Sequence, residues 1–137
     1  MRSRRMGKML GLILAMAFCI CAIPRQGLTA GIQAQIDVAP NVLNIQNQGT
    51  VVTVHTDLAY GLVVGSSVTI NEIPILFWKA DAQGNFVAKF DIEQVKKLDG
   101  LKIGDYNTLT LFGYTNQRDT FIGSQQIKVV DILPNGK

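Results

Sequence analysis

The sequence has few of the residues from which catalytic, metal and disulfide sites are built. Among its 137 residues there are one histidine, two cysteines and one tryptophan, and charged residues make up only 17%. Both cysteines, Cys19 and Cys21, lie two residues apart inside an apolar run near the N-terminus, where they cannot staple a fold. The rest of the chain is cysteine-free, so an oxidising compartment is permitted but supplies no disulfide.

Positive charge is also scarce once the N-terminus is passed. The formal net charge is +3, but five of the thirteen basic residues precede position 31. The remainder has eight basic and ten acidic residues, a net charge of −2. No stripe of lysine or arginine is left to neutralise phosphates, which excludes nucleic acid as a partner.

The first 30 residues have the three-part layout of a secretory signal peptide. A basic segment, Arg2 to Lys8, precedes an apolar or small run, Met9 to Ile23, and Pro24 ends that run. As a helix the run would extend about 22 Å, short of the roughly 30 Å hydrocarbon core of a membrane. We therefore predict an exported protein, in the periplasm, outside the cell or at its surface, with membrane contact only through the signal segment before cleavage.

Cleavage is expected after Ala30, where a small residue stands at the cut. Ala22 and Ala34 are alternative sites, and a leader that is not cleaved would act as an anchor. Lipoprotein processing is disfavoured because Phe18 and Ile20, which are not small, precede the two cysteines.

From Gln33 onward the pattern of apolar residues predicts strands. Apolar residues alternate instead of recurring every three or four positions, and β-branched residues are dense. In Thr50–Leu58 this alternation places Val52, Val54, Thr56 and Leu58 on one buried face. The predicted strands are 34–38, 42–45, 50–58, 67–70, 74–78, 85–90, 107–114 and 121–132.

One segment departs from the alternation. Ile92, Val95 and Leu98 are spaced three apart, Asp91 can cap a helix, and Asp99-Gly100 can end it. This spacing predicts one or two helical turns, placed where the chain crosses between sheets. Because no long helix supports a parallel sheet, we predict an all-β fold: a signal peptide helix over 1–30, then a single antiparallel β-sandwich domain of about seven to eight strands over 31–137.

A turn followed by a tyrosine and an alternating strand, at Gly104-Asp105-Tyr106, resembles the entry to strand F of immunoglobulin-like and fibronectin type III-like sandwiches. The strand pattern over residues 33–132 is similar to such modules in exported bacterial proteins of unassigned role. The resemblance implies that the Tyr106 ring packs at the sheet corner with its hydroxyl bonded to nearby backbone. It also implies a core place for Trp78, like that of a strand C tryptophan.

Residues with catalytic potential do not form a recognisable motif. His55 alternates onto a solvent-facing side, and none of Ser66, Ser67 and Ser124 lies in a Gly-x-Ser-x-Gly elbow. The loop 81–85 gathers oxygen ligands without the EF-hand order, which favours a hairpin turn over a calcium site. We predict no cofactor and no metal.

Four acidic residues flank the predicted crossover, namely Asp91, Glu93, Asp99 and Asp105. Glycoside hydrolysis would need two of their carboxyl groups about 5 to 9 Å apart in a cleft, and exposed loop acids are the favoured interpretation. We therefore predict that the protein has no catalytic residues and is not an enzyme.

Aromatic side chains provide the remaining candidate site. Tyr60, Trp78 and Tyr114 are predicted to form a ligand-binding surface, with Phe77, Phe112 and Phe121 as further candidates for exposed rings. Phe86 and Phe90 are assigned to the core.

The predicted function is a non-catalytic exported module that acts in surface adhesion, assembly or protein binding, with a protein or polysaccharide at the cell surface as partner. One alternative is a carbohydrate-binding module. Another is a fibre or surface-layer subunit that adds the strand Gln126–Leu133 to a neighbour's sheet edge.

Overall fold

The computed structural model describes residues 31–133, so the predicted signal peptide over 1–30 and the last four residues of the predicted domain lie outside the described residues. Ten strands, one short α-helix and two 3₁₀ turns (Tyr60–Leu62 and Gly65–Ser67) follow one another along the described chain. They are β1 (Ile32–Gln33), β2 (Ile36–Ala39), β3 (Val42–Asn44), β4 (Val51–Ala59), β5 (Thr69–Ile70), β6 (Ile73–Pro74), β7 (Phe77–Ala80), β8 (Asn85–Asp91), α1 (Ile92–Lys96), β9 (Tyr106–Tyr114) and β10 (Thr120–Val130). Between residues 31 and 133, no helix is both long and apolar enough to cross a membrane.

The strands form two sheets, which confirms the predicted all-β sandwich. A six-stranded sheet has the order β1-β10-β9-β5-β6, with β3 also pairing with β10, and a four-stranded sheet has the order β2-β4-β8-β7. Buried apolar side chains from both sheets meet in one cluster. Burial of these faces supplies the main driving force for folding.

The expected seven to eight strands become ten for two local reasons. The predicted strand 74–78 divides into β6 and β7, which belong to different sheets. A two-residue strand, β1, precedes the first predicted strand and pairs with Phe121 and Ile122. The sequence pattern marks neither difference, because residues 73–78 form one continuous apolar run across the change of sheet and the alternation of residues 32–38 continues from β1 into β2.

The sandwich departs from the predicted antiparallel pairing at its N-terminal edge. β1 and β3 each pair with β10 in parallel, at its start and at its end, while β2 between them pairs antiparallel with β4 in the other sheet. The segment 31–44 therefore runs alongside β10 in the same direction and visits the opposite sheet midway. At the crossing, the backbone amide of Val38 donates to the side-chain oxygen of Gln125 at 2.6 Å, which joins the two sheets.

The alternation predicted for Thr50–Leu58 is confirmed. Val52, Val54, Thr56 and Leu58 are buried on the inner face of β4. Pairing with β8 shifts register between His55 and Ala59. At this irregularity the Thr56 hydroxyl donates to the Phe86 carbonyl at 2.7 Å and accepts from the Leu58 amide at 3.2 Å, so the polar side chain on the inner face is satisfied.

The predicted short helix is confirmed as α1. The Asp91 carboxylate accepts from the Glu93 amide at 3.0 Å, as an N-cap does, and Ile92 and Val95 are buried. The helix follows β8 of the four-stranded sheet and precedes β9 of the six-stranded sheet. It therefore lies at the crossover where the residue spacing placed it.

Candidate functional site

The outer face of the six-stranded sheet carries an almost uncharged set of side chains. On β9, Leu109 and Leu111 are fully buried, so the alternate residues point outward. The register pairs each of these with an outward residue of β10. We call this surface the hydroxyl face: Tyr106, Thr108, Thr110, Phe112 and Tyr114 of β9, Thr120, Ile122, Ser124, Gln126 and Lys128 of β10, and Thr69 of β5. Within this set Lys128 alone carries a charge.

Neighbouring side chains on the hydroxyl face contact one another across and along the strands. The hydroxyl oxygens of Thr110 and Ser124 lie 2.9 Å apart. The Phe112 and Tyr114 rings meet edge to face, with centroids 5.5 Å apart at 80°, a favoured aromatic geometry. These contacts fix the rings and hydroxyls in a regular array, as cross-strand pairs do.

Two adjoining grooves run along the β9 edge of this face. Both are open to solvent; the larger has a volume of about 620 Å³ and the smaller of about 330 Å³. Both are bordered by Asn71, Leu98 and Asp99. Phe112 and Thr110 line the larger groove, together with Thr69 and Glu72, and Tyr106, Thr108 and Gln126 are among the residues that line the smaller.

Asn71, the first residue after β5, continues the hydrogen bonding of β5 to β9 and so borders the grooves. It has a φ of 45° in the tight turn between β5 and β6, a conformation that asparagine tolerates better than most residues. Its backbone amide donates to the Thr110 carbonyl at 3.0 Å. Its side chain accepts from the Thr110 amide at 2.7 Å and donates to the Thr108 carbonyl at 3.2 Å. Asn71 thus bonds to backbone groups of β9 that β5 does not reach, and the grooves lie beside it.

The three rings predicted as a ligand-binding surface all lie near the connection between β4 and β5, but they do not form one face. Tyr60 stacks on Phe86, with centroids 6.3 Å apart, in a 3₁₀ turn, Tyr60–Leu62. The backbone of Tyr114 bonds to Val64 and Ser67. Of the three, Tyr114 alone belongs to the hydroxyl face.

Trp78 does not occupy the core place that the resemblance implied. It lies on β7, the edge strand of the four-stranded sheet, and 37% of it is exposed. Its indole covers Gly65, where a Cβ atom would collide with the ring. Because β7 is an edge strand, the Trp78 side chain packs on Gly65 at the edge of the sandwich and not in the centre of the core.

The packing implied for Tyr106 is also wrong. The residue is 57% exposed, and no hydrogen bond of its hydroxyl is found within the described residues. Tyr106 begins β9 on the outward side of the strand, and the Lys128 ammonium lies 5.8 Å from its ring centroid, within the range of a cation–π contact. Strand parity therefore places the ring on the hydroxyl face, not at a corner of the core. Phe121, a candidate for an exposed ring, is fully buried for the same reason of parity.

The structure does not bring the single histidine and the candidate serines together. His55 pairs with Asp37 and Val87 in the four-stranded sheet, and Ser124 lies on the outer face of the other sheet. The Ser67 hydroxyl donates to the Val64 carbonyl at 2.7 Å.

The acidic residues of the crossover have separate local roles. Asp91 caps α1, Glu93 pairs with Lys96 at 3.1 Å, and the Asp105 carboxylate accepts from the Tyr106 amide at 2.7 Å. Asp99 borders the grooves. No two of these four are brought together by a hydrogen bond in the described part of the chain.

The loop 81–85 forms the hairpin turn that the sequence favoured. The Asp81 carboxylate accepts from the backbone amides of Gln83 and Asn85, both at 2.9 Å, the arrangement of an Asx turn. Across residues 31–133, no cluster of three or more histidine, cysteine or acidic side chains could hold a metal ion.

Sequence reasoning missed most of the hydroxyl face, although one signal for it was present. Tyr106, Thr108, Thr110, Phe112 and Tyr114 alternate without interruption in the sequence. Their polarity is that of an ordinary solvated strand, and which residues of β10 share their face is known only from the register of the two strands.

Comparisons of the chain with protein-family models, with curated proteins and with solved structures gave no match.

Proposed function

We propose that the chain is the precursor of an exported, non-catalytic immunoglobulin-like module that acts in surface adhesion by binding a neutral polysaccharide on its hydroxyl face. The observation that carries this proposal is the coincidence of outward rings, hydroxyls and grooves on one nearly uncharged sheet surface. The proposal combines two functions expected from the sequence, namely surface adhesion and carbohydrate binding.

The strand order supports the immunoglobulin-like part of the proposal. The order β2-β4-β8-β7 corresponds to strands A, B, E and D of such a sandwich. The sequence β10-β9-β5-β6 corresponds to G, F, C and C′ in the other sheet. Fold alone is a weak guide to function, so the functional proposal depends on the surface.

The chemistry of the hydroxyl face suits a sugar chain. Outward rings such as the half-buried Phe112 and the exposed Tyr114 can cover the apolar faces of pyranose rings. Hydroxyl and amide groups such as Thr110 and Gln126 can exchange hydrogen bonds with sugar hydroxyls, and Glu72 and Asp99 at the grooves can accept them. On the sheet surface itself Lys128 alone is charged, so a ligand can displace water from its hydroxyls and rings with little cost of burying a charge, and the charged groups lie at the grooves.

Assembly through the C-terminal strand receives less support. Residues 126–130 lie in β10, which pairs with β9 up to Lys128 and with β3 from Lys128 to Val130. Adding this segment to a neighbour would require it to leave two strands of its own sheet.

A binding assay with insoluble neutral polysaccharides tests the proposal. Wild-type protein, expressed from its full coding sequence, is expected to bind at least one of cellulose, chitin and a mixed-linkage glucan. Phe112→Ala and Tyr114→Ala are each expected to weaken that binding about tenfold, which corresponds to about 1.4 kcal/mol. Thermal melts of the variants establish that they remain folded.

Tyr60→Ala is the matched control for Tyr114→Ala. The two tyrosines have similar exposures, 40% and 47%, but Tyr60 lies outside the hydroxyl face. Its loss is expected to leave binding unchanged. Failure of the wild type to bind any neutral polysaccharide, or an equal loss in Tyr60→Ala, would overturn the assignment of the surface.

Export is tested separately by N-terminal sequencing of the protein recovered outside the cytoplasm. The expected first residue is Gly31. Cleavage after Ala34 would remove β1 and its pairing with β10, which favours a site upstream of Gly31. An intact Met1 would refute cleavage.

A further inference from the structure

The free edge of the four-stranded sheet is a second exposed surface, independent of the hydroxyl face. β7 pairs with β8 on one side and ends the sheet on the other. All four of its residues are exposed, including Phe77 at 48% and Trp78 at 37%, and Leu76 just before them is exposed as well. An exposed apolar edge strand is a ready template for pairing with another extended chain.

The hydrogen-bond pattern identifies which backbone groups face the free edge. The Asp81 amide donates to the Asn85 carbonyl at 2.9 Å, so residue 81 faces β8. Alternation along the strand then turns Lys79 and Phe77 toward β8 and leaves Trp78 and Ala80 facing outward. The amide and carbonyl groups of these two residues are therefore available to an added strand.

The one charged side chain within β7 is a lysine. Lys79 lies on the outer side of β7, and Lys89 of β8 occupies the neighbouring row opposite Phe77. Three acidic residues share this outer face. Asp37 lies on β2 at the far edge of the sheet, the Asp57 carboxylate on β4 accepts from the Gln35 amide, and the Asp91 carboxylate at the end of β8 caps α1. The Asp81 carboxylate is engaged by backbone amides of its own turn.

We propose that β7 accepts an extended segment of a partner protein in which an acidic residue is flanked by apolar ones. Paired antiparallel, the partner bonds through its backbone to Trp78 and Ala80, and its acidic side chain lies beside Lys79. Its apolar residue next to Trp78 covers the exposed indole edge.

A second copy of this chain fits the edge less well. The register that uses both Trp78 and Ala80 in each copy pairs residue 78 with residue 80, which places Lys79 directly opposite Lys79. Like charges in that position are destabilising. The segment 76–80 contains no acid to compensate.

Fluorescence anisotropy with two labelled peptides tests the proposal. The probes are the synthetic peptides Val-Glu-Val-Glu-Val and Val-Lys-Val-Lys-Val, and the protein is expressed from its full coding sequence. The wild type is expected to bind the glutamate peptide at least about tenfold more tightly than the lysine peptide. Lys79→Glu is expected to reverse this preference. The matched control, Lys102→Glu, makes the same charge change at another exposed site and is expected to preserve it.

A backbone variant tests the edge itself. Ala80→Pro removes an amide that the sheet does not use and is expected to weaken binding of the glutamate peptide at least about tenfold, while thermal melts follow its folding. Absence of binding by the wild type up to about 1 mM peptide, or a preference that Lys79→Glu leaves unchanged, would overturn the proposal. Lys79 would then be assigned to keeping the edge unpaired. Both results are independent of polysaccharide binding.

Discussion

The two outer faces of the sandwich expose different chemistry. On the four-stranded sheet, one row contains Asp37, His55, Val87 and Lys79 in register, so both signs of charge are present. The hydroxyl face of the six-stranded sheet has hydroxyls and rings in the corresponding positions. Because desolvating charges is costly, the neutral face is the one on which a ligand can displace water most cheaply.

The faces differ in burial as well as in charge. Val87 is fully buried although it lies on the outer side of β8, apart from the main core cluster. Its counterpart on the hydroxyl face, Ile122, is 37% exposed. Long side chains such as lysine can cover apolar surface with their stems, whereas threonine and serine cannot reach so far. Val87 on the charged face is therefore covered by its neighbours, whereas Ile122 on the neutral face stays accessible to solvent.

The largest expected effect comes from placing a carboxylate at these two positions. Val87→Asp buries a charge and is expected to lower the free energy of unfolding by about 4 kcal/mol, whereas Ile122→Asp should cost less than about 1 kcal/mol. Urea unfolding measures both. Equal losses would mean that the two faces do not differ in burial as described.

A smaller effect is expected on the inner face of the four-stranded sheet, where its register shifts. Thr56→Val removes the hydroxyl that bonds to the Phe86 carbonyl and the Leu58 amide and is expected to cost about 2 kcal/mol. Thr56→Ser keeps the hydroxyl and should retain more stability than the valine variant. The reverse order in thermal or urea unfolding would show that packing, not hydrogen bonding, holds this position.

The neutrality of the hydroxyl face can be broken directly. Under the proposed function, Thr110→Asp is expected to weaken polysaccharide binding about tenfold, equivalent to about 1.4 kcal/mol. Thr53→Asp introduces the same charge on the outer face of the other sheet and should leave binding unchanged. If both variants bind as the wild type does, absence of charge is not what selects the ligand.

The smallest of these effects concerns the edge of the hydroxyl face. Asn71→Gly keeps the turn conformation but removes the side-chain bonds to Thr108 and Thr110, and the expected loss of stability is about 1 kcal/mol. Hydrogen exchange at the Thr110 amide should become faster. Unchanged exchange would show that the Asn71 side chain does not protect this edge.

Local pattern predicted much of the fold. The alternation over Thr50–Leu58 gave the buried face of β4, and the spacing of Ile92 and Val95 with Asp91 gave α1 and its cap. These features depend on residues that are neighbours along one element, so the sequence carries them explicitly. The change of sheet between β6 and β7 depends on distant strands, and it was missed.

The candidate site was less accessible to prediction than the fold. Tyr114 and Phe112 were identified as candidate exposed rings, but Trp78 and Tyr60 belong to other surfaces and Tyr106 was assigned to packing. The residue type alone does not tell whether an aromatic ring lies in the core or on the surface. Which of these it occupies is decided by strand parity and by the sheet to which the strand belongs.

The sequence by itself determined that this protein is all-β, that α1 interrupts the strands, and that the net charge of residues 31–137 is negative. These properties follow from local periodicity and composition. Only the tertiary structure decided that segment 31–44 runs parallel to β10, that the outward residues of β9 and β10 form one neutral face, and that β7 ends its sheet. Each of these is a pairing between strands remote in sequence, and strand pairing is set by the joint burial of two faces, which no single segment encodes.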